Sequence, residues 1–78
     1  MSTIVIPKEG TLYKVYFTNT YTNVEACSLL FPIKNGNQIY IDYNEIILYL
    51  YKEKHYHHVL YKNIKGFLVE ATKFIEIS

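Results

Sequence analysis

Apolar and polar residues alternate with a period of two along most of this chain. In the stretch Leu12–Thr18, Tyr13, Val15 and Phe17 share one parity, and Leu12, Lys14, Tyr16 and Thr18 share the other. Further on, Val24, Ala26, Ser28 and Leu30 alternate with Glu25, Cys27, Leu29 and Phe31. Successive side chains of a strand point to opposite faces, so this pattern predicts β-strands. The dipeptide Asn35-Gly36 predicts a two-residue type I′ hairpin, whose central residues both need positive φ. Such a turn would pair Leu30 with Ile41 and Pro32 with Ile39. One face would then carry Leu30, Ile39, Ile41 and Tyr43, and the other Phe31, Tyr40 and Asp42. Pro32 has no N–H to give, so its strand should be an edge there. In the last segment Phe67, Val69, Ala71, Ile75 and Ile77 share a parity, opposite Leu68, Glu70, Thr72, Phe74 and Glu76. It reads as one long strand, or as two broken near Ala71–Thr72.

The middle of the chain admits two readings. The run from Glu45 to Lys52 followed by His57 to Ile64 fits two strands joined by a short loop. Asp42 with Glu45 also spaces like a capping box, Ile46, Ile47 and Leu50 fit a helical face, and Gly66 suits a helix C′ position. The fold class expected is mainly β, a small SH3-like or Sm-like barrel of five or six short strands. The alternative is α+β, with a helix at about 43–65 on an antiparallel sheet.

The 78 residues form one domain over 1–78, near the lower size limit for folding without staples. The lone Cys27 cannot make an internal disulfide, and a single thiol suits a reducing compartment. Stability must come from a dense core or from burial against further copies, so a homo-oligomer is expected. No run approaches the ~20 apolar residues of a membrane span, and the N-terminus lacks a signal-peptide pattern. A cytoplasmic protein with no membrane partner is the expectation. The charged residues include eight Lys and no Arg, and Ile, Tyr and Asn abound. That bias suits an AT-rich genome, such as that of a low-GC bacterium, its phage or a virus. Without Arg, anions must be gripped by Lys, Tyr, Asn or backbone amides.

The stretch from Tyr51 to Phe67 holds the candidate chemistry. Lys52, Lys54, Lys62 and Lys65 face only Glu53 there, a local charge of +3 in a chain of net +1. Tyr49, Tyr51, Tyr56 and Tyr61 border these lysines, and rings beside Lys suit stacked bases with phosphates alongside. The candidate ligand-binding residues are therefore Lys52, Lys54, Tyr56, Tyr61, Lys62, Asn63 and Lys65. A solvated hairpin whose charges keep the protein soluble accounts for the same pattern. On a strand His55 and His57 share a face, which makes them weak candidate metal ligands, with Glu53 on the same parity. No cofactor is implied. The three histidines, His58 included, should be dispensable for folding.

The segment Ile46–Glu70 resembles the second sequence motif of Sm-like proteins, in particular of the bacterial Hfq type. The corresponding run here is Leu60-Tyr61-Lys62-Asn63-Ile64, with Asn63 where the Hfq type has His. The resemblance covers about a third of the chain. It implies a strongly bent five-stranded barrel, strand-to-strand subunit pairing, and a uridine-binding pore around Tyr61, Lys62 and Asn63. The glycines of the first Sm motif are missing from Val15–Phe31, and the hairpin around Asn35 has no counterpart.

Catalysis has little sequence support. Asp42 is the only aspartate, and no nucleophile elbow or phosphate-binding loop appears. The expected function is a non-enzymatic binding module, encoded by a phage or mobile element. Its partner would be nucleic acid, a nucleotide, or a host protein that it inhibits or sequesters. An Sm-like RNA-binding ring and a metal-dependent enzyme are the alternatives.

Overall fold

The computed structural model describes residues 4–18, 25–26, 28–34, 36–42 and 44–77. Among them are nine strands: β1 (Ile4–Val5), β2 (Leu12–Thr18), β3 (Glu25–Ala26), β4 (Ser28–Pro32), β5 (Ile39–Ile41), β6 (Ile47–Glu53), β7 (Tyr56–Tyr61), β8 (Ile64–Val69) and β9 (Lys73–Glu76). All pair antiparallel, in the order β1-β9-β2-β6-β7-β8-β4-β5, with β3 on β2. The path is open, with β1 and β5 at its ends.

The helix weighed for 43–65 is not formed. That segment instead holds β6 and β7, joined by the two-residue turn Lys54-His55, with Lys54 at φ 55°. Its apolar period of two continues through Val59 and Tyr61, whereas a helix would have carried Lys54 and His57 into its apolar stripe. Gly66 is not a helix cap but an interior residue of β8, opposite both Val59 and Pro32. The last segment breaks into β8 and β9 at Glu70–Thr72, where the Thr72 amide donates to the Val69 carbonyl at 3.0 Å.

The hairpin of β4 and β5 keeps its expected faces but not its register. Ser28 pairs with Ile41 and Leu30 with Ile39, two residues off the two-residue-loop alignment. An offset of two preserves which side chains point inward, whereas an offset of one would invert them. Leu30 and Ile41 are buried, and Tyr40 and Asp42 are exposed. The connection is longer because Phe31 and Pro32 leave β5 and pair with β8 instead. At Pro32 the strand is thus paired on one side only, as its missing N–H requires. Asn35, Tyr43 and Cys27 lie outside the described residues. Two consecutive positive φ values, the type I′ signature, occur at Lys62 (49°) and Asn63 (66°), between Tyr61 and Ile64.

The core is built from the inward parity of seven strands, β2 and β4 to β9: Tyr13, Val15, Leu30, Ile41, Ile47, Tyr49, Val59, Tyr61, Leu68 and Phe74. Its rings meet edge to face, with Tyr49 on Phe74 at 5.3 Å and Tyr13 on Phe74 at 5.8 Å. Such pairs add roughly 0.5–1.5 kcal/mol each beyond their burial.

Candidate functional site

The basic stretch that reads as one pole in the sequence is split by its own strands. Lys52 and Lys54 lie at the β6–β7 turn, while Lys62, Asn63 and Lys65 lie at or beside the β7–β8 turn. The six residues of β7 separate the two turns, a span of roughly 17–20 Å. Two of the four lysines are also partnered. Lys52 Nζ sits 3.5 Å from Glu70, and Lys62 Nζ sits 3.4 Å from Glu45 and 5.2 Å from the centre of the Tyr61 ring. Lys54 and Lys65 have no ion-pair partner among the described residues. Tyr61 belongs to the core at 5% exposure, so its ring cannot receive a base. Tyr56, at 44%, remains available.

The histidines divide three ways. His55 is exposed in its turn and its Nδ1 lies 2.8 Å from the Glu70 carboxylate. This hydrogen bond, with the Lys52 ammonium beside it, holds the Glu70 carboxyl below the usual carboxylate range. His57 is buried on the inward parity of β7. Its Nε2 faces the Glu70 carbonyl oxygen at 3.4 Å and its Nδ1 faces the Tyr49 hydroxyl at 2.9 Å. A carbonyl can only accept, so the neutral ring carries its proton on Nε2 and Nδ1 accepts from Tyr49. His55 and His57 thus both meet Glu70, but at different groups, the side-chain carboxylate for His55 and the backbone carbonyl for His57.

A pH dependence follows. Burial pushes the His57 pKa below its ordinary value, with Lys52 adding to the effect and the Glu70 carbonyl opposing it. The unfolded chain binds a proton as pH falls through ~6.5, while the folded ring resists it until lower pH. Stability present at pH 7 is therefore lost as pH falls from about 6.5 toward the folded value. The lowered Glu70 pKa acts in the same direction, below about 4.5. The urea midpoint should drop between pH 7 and pH 5, and the drop should shrink in His57→Gln.

The other face of the sheet carries what the sequence reading did not assemble. Residues directly opposite on neighbouring strands share a face. Tyr51, His58, Phe67 and Phe31 form one such row across β6, β7, β8 and β4. Tyr51 stacks on His58 at 4.5 Å and 13°, and Phe31 on Phe67 at 5.7 Å and 17°. His58 stands 6.0 Å from Phe67, and Tyr56 meets Phe67 edge-on at 4.8 Å. By strand parity Leu29, Leu60 and Val69 fill the same face, half-buried, and Tyr40 stands out from it at 72% exposure. Antiparallel sheets usually turn polar side chains to water on their second face. This one turns rings and aliphatics.

A bulge makes the row possible. The β6–β7 register shifts between Tyr49 and Tyr51, so Tyr49 enters the core while Tyr51 reaches the outer face. Simple parity would put both on the same side. The outer parity of Leu29 and Phe31 was visible in the sequence, and so was that of His58. The position of the bulge was not.

At the β7–β8 end this face runs into an open groove of about 600 Å³, whose walls include Ile33, Lys34, Asn37, Asn63, Ile64 and Lys65. Its floor is aliphatic and its polar rim is lysine and asparagine. Comparison with family models, curated proteins and solved structures finds no match for this chain.

Proposed function

We propose that this chain is a non-enzymatic binding module that docks onto another protein through its outer sheet face. The row Tyr51–His58–Phe67–Phe31 carries the reading. The row is half-buried and is flanked by the exposed Tyr40 and Tyr56; contiguous apolar surface that reaches the solvent marks interaction sites in soluble proteins, and aromatic side chains are enriched at interface centres. The row suits a protein better than a nucleic acid. His58 and Phe67 have ring neighbours on both sides, so their faces are taken. Base stacking needs open ring faces beside a run of cations, and the four lysines are divided between two turns. The strand order β9-β2-β6-β7-β8, with β3 on β2 one residue before β4, supports an SH3-like barrel. The composition, rich in Lys, Ile, Tyr and Asn and without Arg, suits an AT-rich phage or mobile-element product, whose partner would be a host protein.

A second reading rests on the groove. Lys34, Lys65, Asn37 and Asn63 at its rim fit an anionic ligand such as a nucleotide or an RNA 3′ segment, which also accommodates the Sm-like resemblance. Fluorescence anisotropy with a labelled ten-nucleotide oligouridine separates the two. The protein-docking reading expects no saturable binding at tens of micromolar protein in 150 mM salt. Micromolar binding that weakens steeply with salt, as phosphate contacts require, would transfer the function to the groove.

A further inference from the structure

We infer that the outer face is a self-complementary surface, occupied in the free protein by a second copy of the same chain in a twofold, face-to-face dimer. The inference rests on the reading of this face as a protein-docking surface and names its occupant. The ladder registers carry it. Glu53 pairs with Tyr56, so it lies one strand from β7 and two residues from His58 toward the β6–β7 turn. Lys65 pairs with Leu60, so it lies one strand away on the opposite side and two residues from His58 toward the β7–β8 turn. His58 is therefore the midpoint between an acid and a base that share the outer face. The two charges stand roughly 16 Å apart by strand spacing and rise, too far to pair within one chain. Both are exposed, and neither has an ion-pair partner among the described residues.

A twofold axis lying in the interface over His58 brings Lys65 onto the partner's Glu53, and Glu53 onto the partner's Lys65. Such an isologous contact makes every pairing twice. Between the two charge pairs the aromatic rows of the two copies meet, each supplying Tyr51, His58 and Phe67. The strands of the two sheets then cross steeply, one of the two common ways in which sheets pack face to face. The sheet curls around its single core, so the contact is centred on β6, β7 and β8, a flat footprint of roughly 290 Å² before the protruding Tyr40 and Tyr56 are counted. That is at the small end for specific interfaces, which begin near ~500 Å² per partner, so the contact should form at tens of micromolar rather than at nanomolar concentration.

Light scattering on a sizing column at 100 µM tests this. Wild type should run at twice the chain mass of 9.2 kDa. Lys65→Glu should run as a monomer, because it sets like charges opposite each other at two symmetric places. Glu53→Lys with Lys65→Glu should restore the dimer, since the exchange rebuilds both pairs. Thermal melts of the three proteins control for folding, which exposed substitutions should leave nearly unchanged. A wild-type monomer at 100 µM overturns the dimer, and so does a dimer indifferent to both charge changes. The docking reading would survive either result if a different protein proved to be held through Tyr40 and Tyr56.

Discussion

Replacing Tyr61 by Ala is expected to lower folding stability by about 3–5 kcal/mol, the range for truncating a buried aromatic ring. Tyr61 closes β7 and is 5% exposed, within the same core cluster as Val59, Leu68 and Tyr49. Its neighbours stand on three paired strands and cannot collapse freely into the space left behind. At ~4–8 °C per kcal/mol for a domain of this size, the melting temperature should fall by more than 12 °C. Tyr56→Ala, on the opposite face and 44% exposed, should cost less than about 1 kcal/mol. Equal small losses in the two variants would mean that Tyr61 faces the solvent, as a base-stacking residue must.

Gly66→Ala should cost about 3 kcal/mol for a different reason. An added Cβ would lie 2.7 Å from the carbonyl oxygen of Phe31 and 2.9 Å from Leu30 Cδ1. The leucine could adjust its rotamer, but a backbone oxygen held in the β4–β8 ladder cannot swing aside. The two strands must separate, weakening the rungs Phe31–Phe67 and Pro32–Gly66. Overpacking alone typically costs 1–3 kcal/mol, and the disturbed ladder adds to it. Urea unfolding of Gly66→Ala measures the loss. A change under about 1 kcal/mol would show that β4 and β8 do not approach this closely.

These two residues mark where the sequence was and was not legible. The alternation of Tyr13 and Val15, of Leu30 and Ile41, and of Val59 and Tyr61 points to the inward faces, because parity is a local property. The mainly β class followed from it. What depends on contacts distant in sequence was hidden. Asn35-Gly36 is a strong local turn signal, yet Phe31 and Pro32 are drawn to β8, and the β4–β5 alignment shifts by two. Gly66 reads as punctuation, since nothing near it in the sequence reveals the Phe31 backbone across the ladder. A glycine inside an apolar alternation is, even so, a sign of close backbone approach. The lysines between Lys52 and Lys65 form one cluster by sequence and two by structure, because β7 runs between them. The row of Tyr51, His58 and Phe67 required the bulge before Tyr51, which no composition or period announces.

Binding resides in the outer apolar face and not in the turn lysines Lys52, Lys54 and Lys62. Capture experiments with immobilised protein test this most directly, comparing wild type, Tyr40→Asp with Tyr56→Asp, and a variant with Lys52, Lys54 and Lys62 all changed to Gln. Both tyrosines are exposed, at 72% and 44%, so the first variant should keep the fold. The captured partner should be a protein, and its affinity should fall at least tenfold in the double-Tyr variant. It should change little in the three-Lys variant or between 50 and 300 mM salt. A partner that is nucleic acid, lost with the lysines and with rising salt but indifferent to Tyr40 and Tyr56, would contradict the account.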